Sequence, residues 1–308
     1  MDDGIAASAR LIGEIRDGAF AAPVTRRRRP LVMIVGAEES GSLLCSRVLS
    51  VLGFRMADSA TAPEPRALPG SAALQPAKPS EIAELHDRLL ALFNGGPGIA
   101  ADDLVLPVSW WADPRVSEIR RQLAAFVNDR VGGRFGFHDP RTTRLMPIWN
   151  QIAKELKLAP KIVHCLRNPA QIARVLHERD GIPLGLAEYR WFAQTVELFR
   201  HARKAELCTI GYDEWFIEPR TNLQKLRQFL ALPDELPEAD LDDAVTAIVE
   251  DARPDSDLGT GEARQPLVRS AYRLARRAEH DAGARDQLQH IAGQLVSFQQ
   301  LHAASSGA

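Results

Sequence analysis

Cysteine is scarce in this chain, with Cys45, Cys165 and Cys208 the only three among 308 residues. None stands in C-x-x-C spacing, so the sequence offers neither zinc ligands nor a disulfide framework. Isolated thiols in apolar surroundings fit a reducing, cytoplasmic compartment. An excess of one charge is missing too. Lys and Arg number 38 against 40 Asp and Glu, a net charge of −2, which gives no reason to expect nucleic acid or an anionic membrane surface as a partner. Long apolar runs are also absent. The basic stretch Arg26-Arg27-Arg28-Arg29 precedes too short an apolar run before Glu38 for a signal segment or a membrane span. No internal repeat is visible. With 45% hydrophobic and 25% charged residues, the chain has an ordinary globular composition and the length for one α/β domain with helical additions.

The most informative stretch that is present runs from Leu31 to Gly53. Leu31-Val32-Met33-Ile34-Val35 reads as a strand buried on both faces, a parallel-sheet signature. A loop with Gly36 and Gly41 follows, then an amphipathic helix that Gly53 can cap. Strand, glycine-bearing turn and helix N-terminus together make an anion site, because free backbone N–H groups point at the ligand. The glycine spacing fits the first six positions of a Walker A loop. Ser42 and Leu43 then stand where Lys and Ser or Thr belong, so neither a phosphate-reaching ammonium nor a magnesium-ligand hydroxyl is available. A Mg-NTP enzyme is not expected, and no metal is implied.

The remaining organisation alternates strands and helices. Residues 1–25 hold an amphipathic helix pattern (Ile5, Leu11, Ile12, Ile15), and residues 57–80 form a proline- and alanine-rich irregular loop. Ser80 is a plausible N-cap for a helix through Ile82, Leu85 and Leu89. An irregular aromatic segment at 104–114 carries Trp110 and Trp111, and a helix follows to about Val131. Phe135–Phe137, Lys161–Leu166 and Leu207–Ile210 read as further strands, with helices opened by Pro147 and by Asn168-Pro169 between them. The expected fold is a doubly wound α/β parallel sheet flanked by helices. We expect residues 1–30 to be an N-terminal helix and basic tail, 31–250 the α/β domain, and 251–308 a helical C-terminal extension.

Five motifs, in order, resemble the PAPS-dependent sulfotransferase family, over most of residues 31–231. Gly36–Gly53 is similar to its G-x-x-R-S-G-T-S-L-L loop, and Glu81-Ile82…Leu85-His86-Asp87 to its E-I-x-x-L-H-D helix. Gly136-Phe137-His138-Asp139-Pro140-Arg141 is similar to its G-x-K-D-P-R turn. Arg167-Asn168-Pro169…Arg179-Asp180-Gly181 resembles its R-x-P…R-D-G segment, and Gly211-Tyr212-Asp213-Glu214 its Y-E-D strand end. The resemblance implies a P-loop NTPase-like sulfotransferase fold. It also implies PAPS as donor, held by Gly36, Glu39, Ser40, Gly41, Ser42 and Arg167, and a hydroxyl-bearing glycan, lipid or small-molecule acceptor.

Departures fall at both phosphate anchors. Glu39 replaces the loop Arg and is flanked by Glu38. Val175 stands at the position of the 3′-phosphate Ser, and His138 at that of the Lys. A unit charge about 4 Å away is worth roughly 4 kcal/mol at an effective dielectric near 20, whereas a helix N-terminus returns about 0.3–2 kcal/mol. Ordinary PAPS affinity is therefore expected to be poor unless Glu39 turns outward to pair with Arg47 or the basic run. Sulfuryl transfer needs a general base, and His138 is the candidate, its unperturbed pKa near 6.5 suiting neutral pH. Asp139 either orients His138 or, as favoured here, braces the turn through Arg141. Core packing is the expected role of His164, Trp110 and Trp111, with stacking on an acceptor the alternative for the tryptophans. The functional expectation is a sulfotransferase. The alternative is a sulfotransferase fold with a degenerate donor site, which uses another donor or binds without catalysis.

Overall fold

Because the run Leu31–Val35 is apolar at every position, it can be enclosed on both sides, and it forms strand β1 (Pro30–Val35) with those five residues buried. The computed structural model describes residues 28–58, 80–93, 105–202, 206–232, 242, 245–246, 248–250 and 261–306. The helix expected within 1–25 and nearly all of the loop expected at 57–80 lie outside those residues. Helix α1 (Ser42–Val51) follows β1, and Gly53, at φ 82°, turns the chain into β2 (Arg55–Asp58). Helices α2 (Glu81–Ala91) and α3 (Val116–Asn128) precede β3 (Phe135–His138). Then come α4 (Met146–Glu155), β4 (Ala159–Leu166), α5 (Pro169–Asp180), α6 (Leu184–His201) and β5 (Glu206–Gly211). The chain ends in α7 (Glu214–Ile217), α8 (Pro219–Leu230), α9 (Pro266–Ala275) and α10 (Ala282–Ser306).

The five strands form one sheet in the order β2-β3-β1-β4-β5, every neighbouring pair parallel. Strand β2 is the element the sequence did not announce. Arg-Met-Ala-Asp has no apolar alternation, and its strand geometry comes from its partner, from Arg55 opposite Phe135 to Asp58 opposite His138. Along the central strands, side chains alternate between two apolar layers. Leu31, Met33, Val35 and Ile162 face one layer, and Val32, Ile34, Val163 and Cys165 face the other. The first layer is roofed by α2 to α6, α9 and α10, the second by α1, α7 and α8.

Caps fall where side-chain chemistry puts them. Ser80 Oγ accepts from Ala83 N at 3.2 Å, and Asn168 Oδ1 accepts from Ala170 N at 2.9 Å, with Pro169 at the first position of α5. The C-terminal helices belong to the core itself, since Ala271, Leu274, Leu288 and Ala292 share the layer of Leu31 and Met33. Edge strand β5 is covered on its open side at Thr209. Thr209 N donates to Glu279 Oε2 at 2.9 Å, its carbonyl accepts from Lys225 Nζ at 2.7 Å, and Lys225 and Glu279 pair at 2.9 Å. All three cysteines are buried thiols, and burial pushes that of Cys208 up to about 12, which leaves it protonated and inert. Among the described residues no helix is long and apolar enough to cross a membrane, and no cluster of His, Cys, Asp and Glu is arranged to hold a metal ion.

Candidate functional site

The carboxyl ends of parallel strands are where open α/β sheets bind ligands. Here β1 delivers the loop 36–41 and β4 delivers Arg167 to the same end. The loop begins with a close approach. A Cβ on Gly36 would lie 2.3 Å from Ser40 Oγ and 2.6 Å from the carbonyl oxygen of Cys165, so only glycine lets the loop turn against β4. Gly36→Ala therefore cannot be relieved by a side-chain rotation alone. It should destabilise the protein by about 1–3 kcal/mol and weaken any anion binding at the loop, read by urea unfolding and titration of the same sample.

Ser40 N donates to Ala37 O at 3.1 Å, closing the turn, and Gly41 takes φ 88° to start α1. The first amide of α1 with a backbone acceptor is that of Cys45, which donates to Gly41 O at 3.1 Å. The amides of Ser42, Leu43 and Leu44 thus have no acceptor among the described residues, as expected for a helix N-terminus. Ser40 Oγ, in a residue 1% exposed, is also without a partner there.

Glu39 adopts the left-handed conformation, φ 61°, and two arginines hold it. Arg167 Nη1 donates to the Glu39 carbonyl at 2.9 Å, while Arg179, in the last turn of α5, pairs with the carboxylates of both Glu39 and Glu38. Glu39 does turn outward, and the side chain it pairs with is that of Arg179. Arg179 also holds its neighbour Asp180 at 2.6 Å. Arg167 is 4% exposed, lies over the Tyr212 ring at 3.9 Å and donates to Gln171 Oε1 at 3.3 Å. Burial presses its pKa down, while Tyr212, Asp213 and Glu39 oppose that shift. Tyr212 in turn fills the space beside Gly41, where a Cβ would come within 2.5 Å of its ring. Val175, half-buried on α5, offers no hydroxyl.

His138 ends β3 beside Ile34 of β1, enclosed and with Nδ1 unpartnered among the described residues. The expected imidazole titrating near 6.5 is not found: burial lowers His138 to about 4, with Asp139 opposing only in part. It is therefore neutral at pH 7 but a weak base. Asp139 sits in a closed network instead. Its carboxylate receives Arg141 Nε at 2.8 Å, Arg141 Nη2 at 2.6 Å and Arg141 N at 2.9 Å, and its Oδ1 lies 3.1 Å from His86 Nδ1. Trp149 Nε1 donates to His86 Nε2 at 3.2 Å, which places the His86 proton on Nδ1, facing Asp139. Asp87 pairs with the far side of Arg141. Burial alone would raise the Asp139 pKa, but His86 and Arg141 outweigh it and hold the carboxyl well below its usual range.

His164 of β4 packs against Phe199 of α6, and burial lowers it to about 4. Trp110 meets Phe93 and Trp111, and Trp111 meets His201 at the last turn of α6. Both tryptophans line one cavity with Arg144, Glu197 and His201. Sequence reading passed over Arg179 and Tyr212 as site residues. A cation in the last turn of a helix capped by Gly181 (φ 69°) was the available signal for the first. Nothing in the sequence marked Tyr212 as the ring between Gly41 and Arg167.

No protein-family model and no curated protein matches this sequence. Among solved structures, the chain is similar to the sulfotransferase domain of the Synechococcus PCC 7002 olefin synthase, at 17% identity and a TM-score of 0.45, over 82% of this chain and 90% of that one. The sulfotransferase domain of the curacin biosynthetic pathway gives 17% and 0.40, over 86% and 96%. The sulfotransferase from Alicyclobacillus acidocaldarius gives 15% and 0.40, over 85% and 96%. The α/β fold stands on the chain's own parallel sheet, with its strand–loop–helix at the β1 end.

Proposed function

We propose that this chain is a sulfotransferase that moves a sulfuryl group from PAPS to a hydroxyl of a glycan, lipid or small-molecule acceptor in the cytoplasm. The observation that carries the reading is the position of the two loop glutamates. Both carboxylates are drawn off by Arg179, which leaves the amides of Ser42, Leu43 and Leu44 open at the head of α1. Helix N-terminal amides in this arrangement suit a phosphosulfate. Ser40 and Ser42 add hydroxyls beside the loop, and Arg167 stands behind Glu39 for the second anionic group of the nucleotide. Residues 31–250 carry this site, and the helices within 251–308 brace it through the shared core.

In this reading His138, kept neutral by burial, is the base that accepts the acceptor's proton. Asp139 acts by bracing the turn that presents His138, since its oxygens are already engaged by Arg141 and His86. A second reading, a donor other than PAPS, is favoured by one feature. Three carboxylates, those of Glu38, Glu39 and Asp180, share the single Arg179 guanidinium, so the mouth keeps a negative excess.

Calorimetric titration with PAP, the desulfated product, separates the two. Micromolar binding, weakened at least tenfold by Arg167→Ala, is expected for the PAPS enzyme. Absence of binding at millimolar PAP sinks it and leaves the second reading.

A further inference from the structure

Position 39 of the loop carries a carboxylate, and a cation reaches it from elsewhere in the chain. Arg167 and Arg179 bracket helix α5, and both reach the same loop residue, the first through the Glu39 carbonyl and the second through its carboxylate. Their environments differ sharply. Arg167 is 4% exposed and held by three partners, whereas the Arg179 side chain is 46% exposed and, among the described residues, meets only carboxylates. Beside them are the open amides of α1 and the buried, unpartnered hydroxyl of Ser40, which faces Gly36 inside the loop.

We propose that Arg179 is a displaceable counter-charge that reads the donor. It rests on Glu38 and Glu39 while the loop is empty of anion, and moves to the bound phosphate or sulfate oxygens when the loop fills. This rests on the reading that the loop takes an anionic group. The chemistry supports the exchange. A guanidinium fork fits a phosphate as well as a carboxylate. The Arg179 stem is long and solvent-facing, and its three present partners are themselves exposed enough to be solvated once released. The glutamates then act as a competitive internal anion. They set a threshold that a multiply charged group, such as a pyrophosphate-like phosphosulfate, crosses more readily than a lone sulfate ion. Arg179 is thus a specificity-determining residue, and the acidic loop is part of the selection.

The test uses the full chain and inorganic pyrophosphate as the probe, by calorimetry at about 0.15 M salt, where charges that do not touch are screened within about 8 Å. Three proteins are compared: the unmodified chain, Glu38→Gln/Glu39→Gln, and that pair with Arg179→Gln added. Removing the carboxylates should tighten pyrophosphate binding about tenfold, and removing Arg179 as well should lose that gain and about tenfold more. Equal binding by the double and triple variants, within about twofold, overturns the proposal, as does absence of pyrophosphate binding by all three. The same proteins titrated with PAP separate the two claims. PAP bound by all, with double and triple alike, removes Arg179's role and keeps the donor. The expected pyrophosphate series without PAP binding keeps Arg179's role and removes PAPS.

Discussion

Replacing Asp139 with alanine should cost the fold about 3–5 kcal/mol, because it strips Arg141 of its counter-charge and the buried His86 Nδ1–H of its acceptor. The carboxylate is fully enclosed and ties three segments together: the turn after β3 through Arg141, helix α2 through His86, and helix α4 through the Trp149 bond to His86. Without it, His86 Nδ1–H has no acceptor among the described residues, and Arg141 keeps only Asp87 on its exposed side. Asp139→Asn should recover part of the loss, since an amide oxygen still accepts from the Arg141 backbone. Urea unfolding of both variants reads this directly. A loss under about 1 kcal/mol for alanine, the scale of an exposed ion pair, would show that the network does not hold the turn. If the turn does slacken, His138 moves with it. Loss of activity out of proportion to lost stability is then expected for the asparagine variant.

The second large effect is on acid stability. Burial lowers His138 and His164 to about 4, and His201 to about 4 with help from Arg200 and Arg144. In the unfolded chain each titrates near 6.5. Between those values the unfolded chain takes up protons that the folded protein refuses. Stability therefore falls as the pH drops from about 6.5 to 4 and levels off below. Each enclosed imidazole accounts for a few kcal/mol, on the order of 3. Together they rival the whole stability of an ordinary domain, about 5–15 kcal/mol. The Asp139 contribution has the opposite placement. It is present above the unfolded value of 3.8 and fades only as pH falls below it. The protein should thus lose most of its stability near about pH 5, well before its carboxylates protonate. Unfolding free energies measured at about pH 7 and about pH 5 should differ by several kcal/mol, and His164→Gln should flatten that slope. A flat profile would mean that these imidazoles are solvated.

Much of this architecture was legible in the sequence because it rests on local signals. The five apolar residues of β1, the caps at Ser80 and Asn168, and Pro169 at the head of α5 each declare themselves within a few residues. Strand β2 did not, since Arg55–Asp58 carries no periodicity and is a strand only because β3 offers it hydrogen bonds. The site divides in the same way. Gly36, Ser40, Gly41 and Arg167 could be placed from spacing and strand ends. The partner of Glu39 could not, because Arg179 lies 140 residues away along the chain and meets the loop only through the path of α5. The pKa of His138 was equally out of reach, since enclosure belongs to the packed layers and not to the motif around it.

The covered side of β5 has a consequence for how the molecule meets others. A parallel sheet normally presents its last strand as a template for another chain's backbone. At Thr209 both the donor and the acceptor of that template are already taken, by Glu279 and Lys225. An extended peptide cannot be zipped onto this flank at that point, and two copies cannot fuse their sheets there into a continuous ribbon. Whatever this protein recognises, at that rim it must do so with side chains.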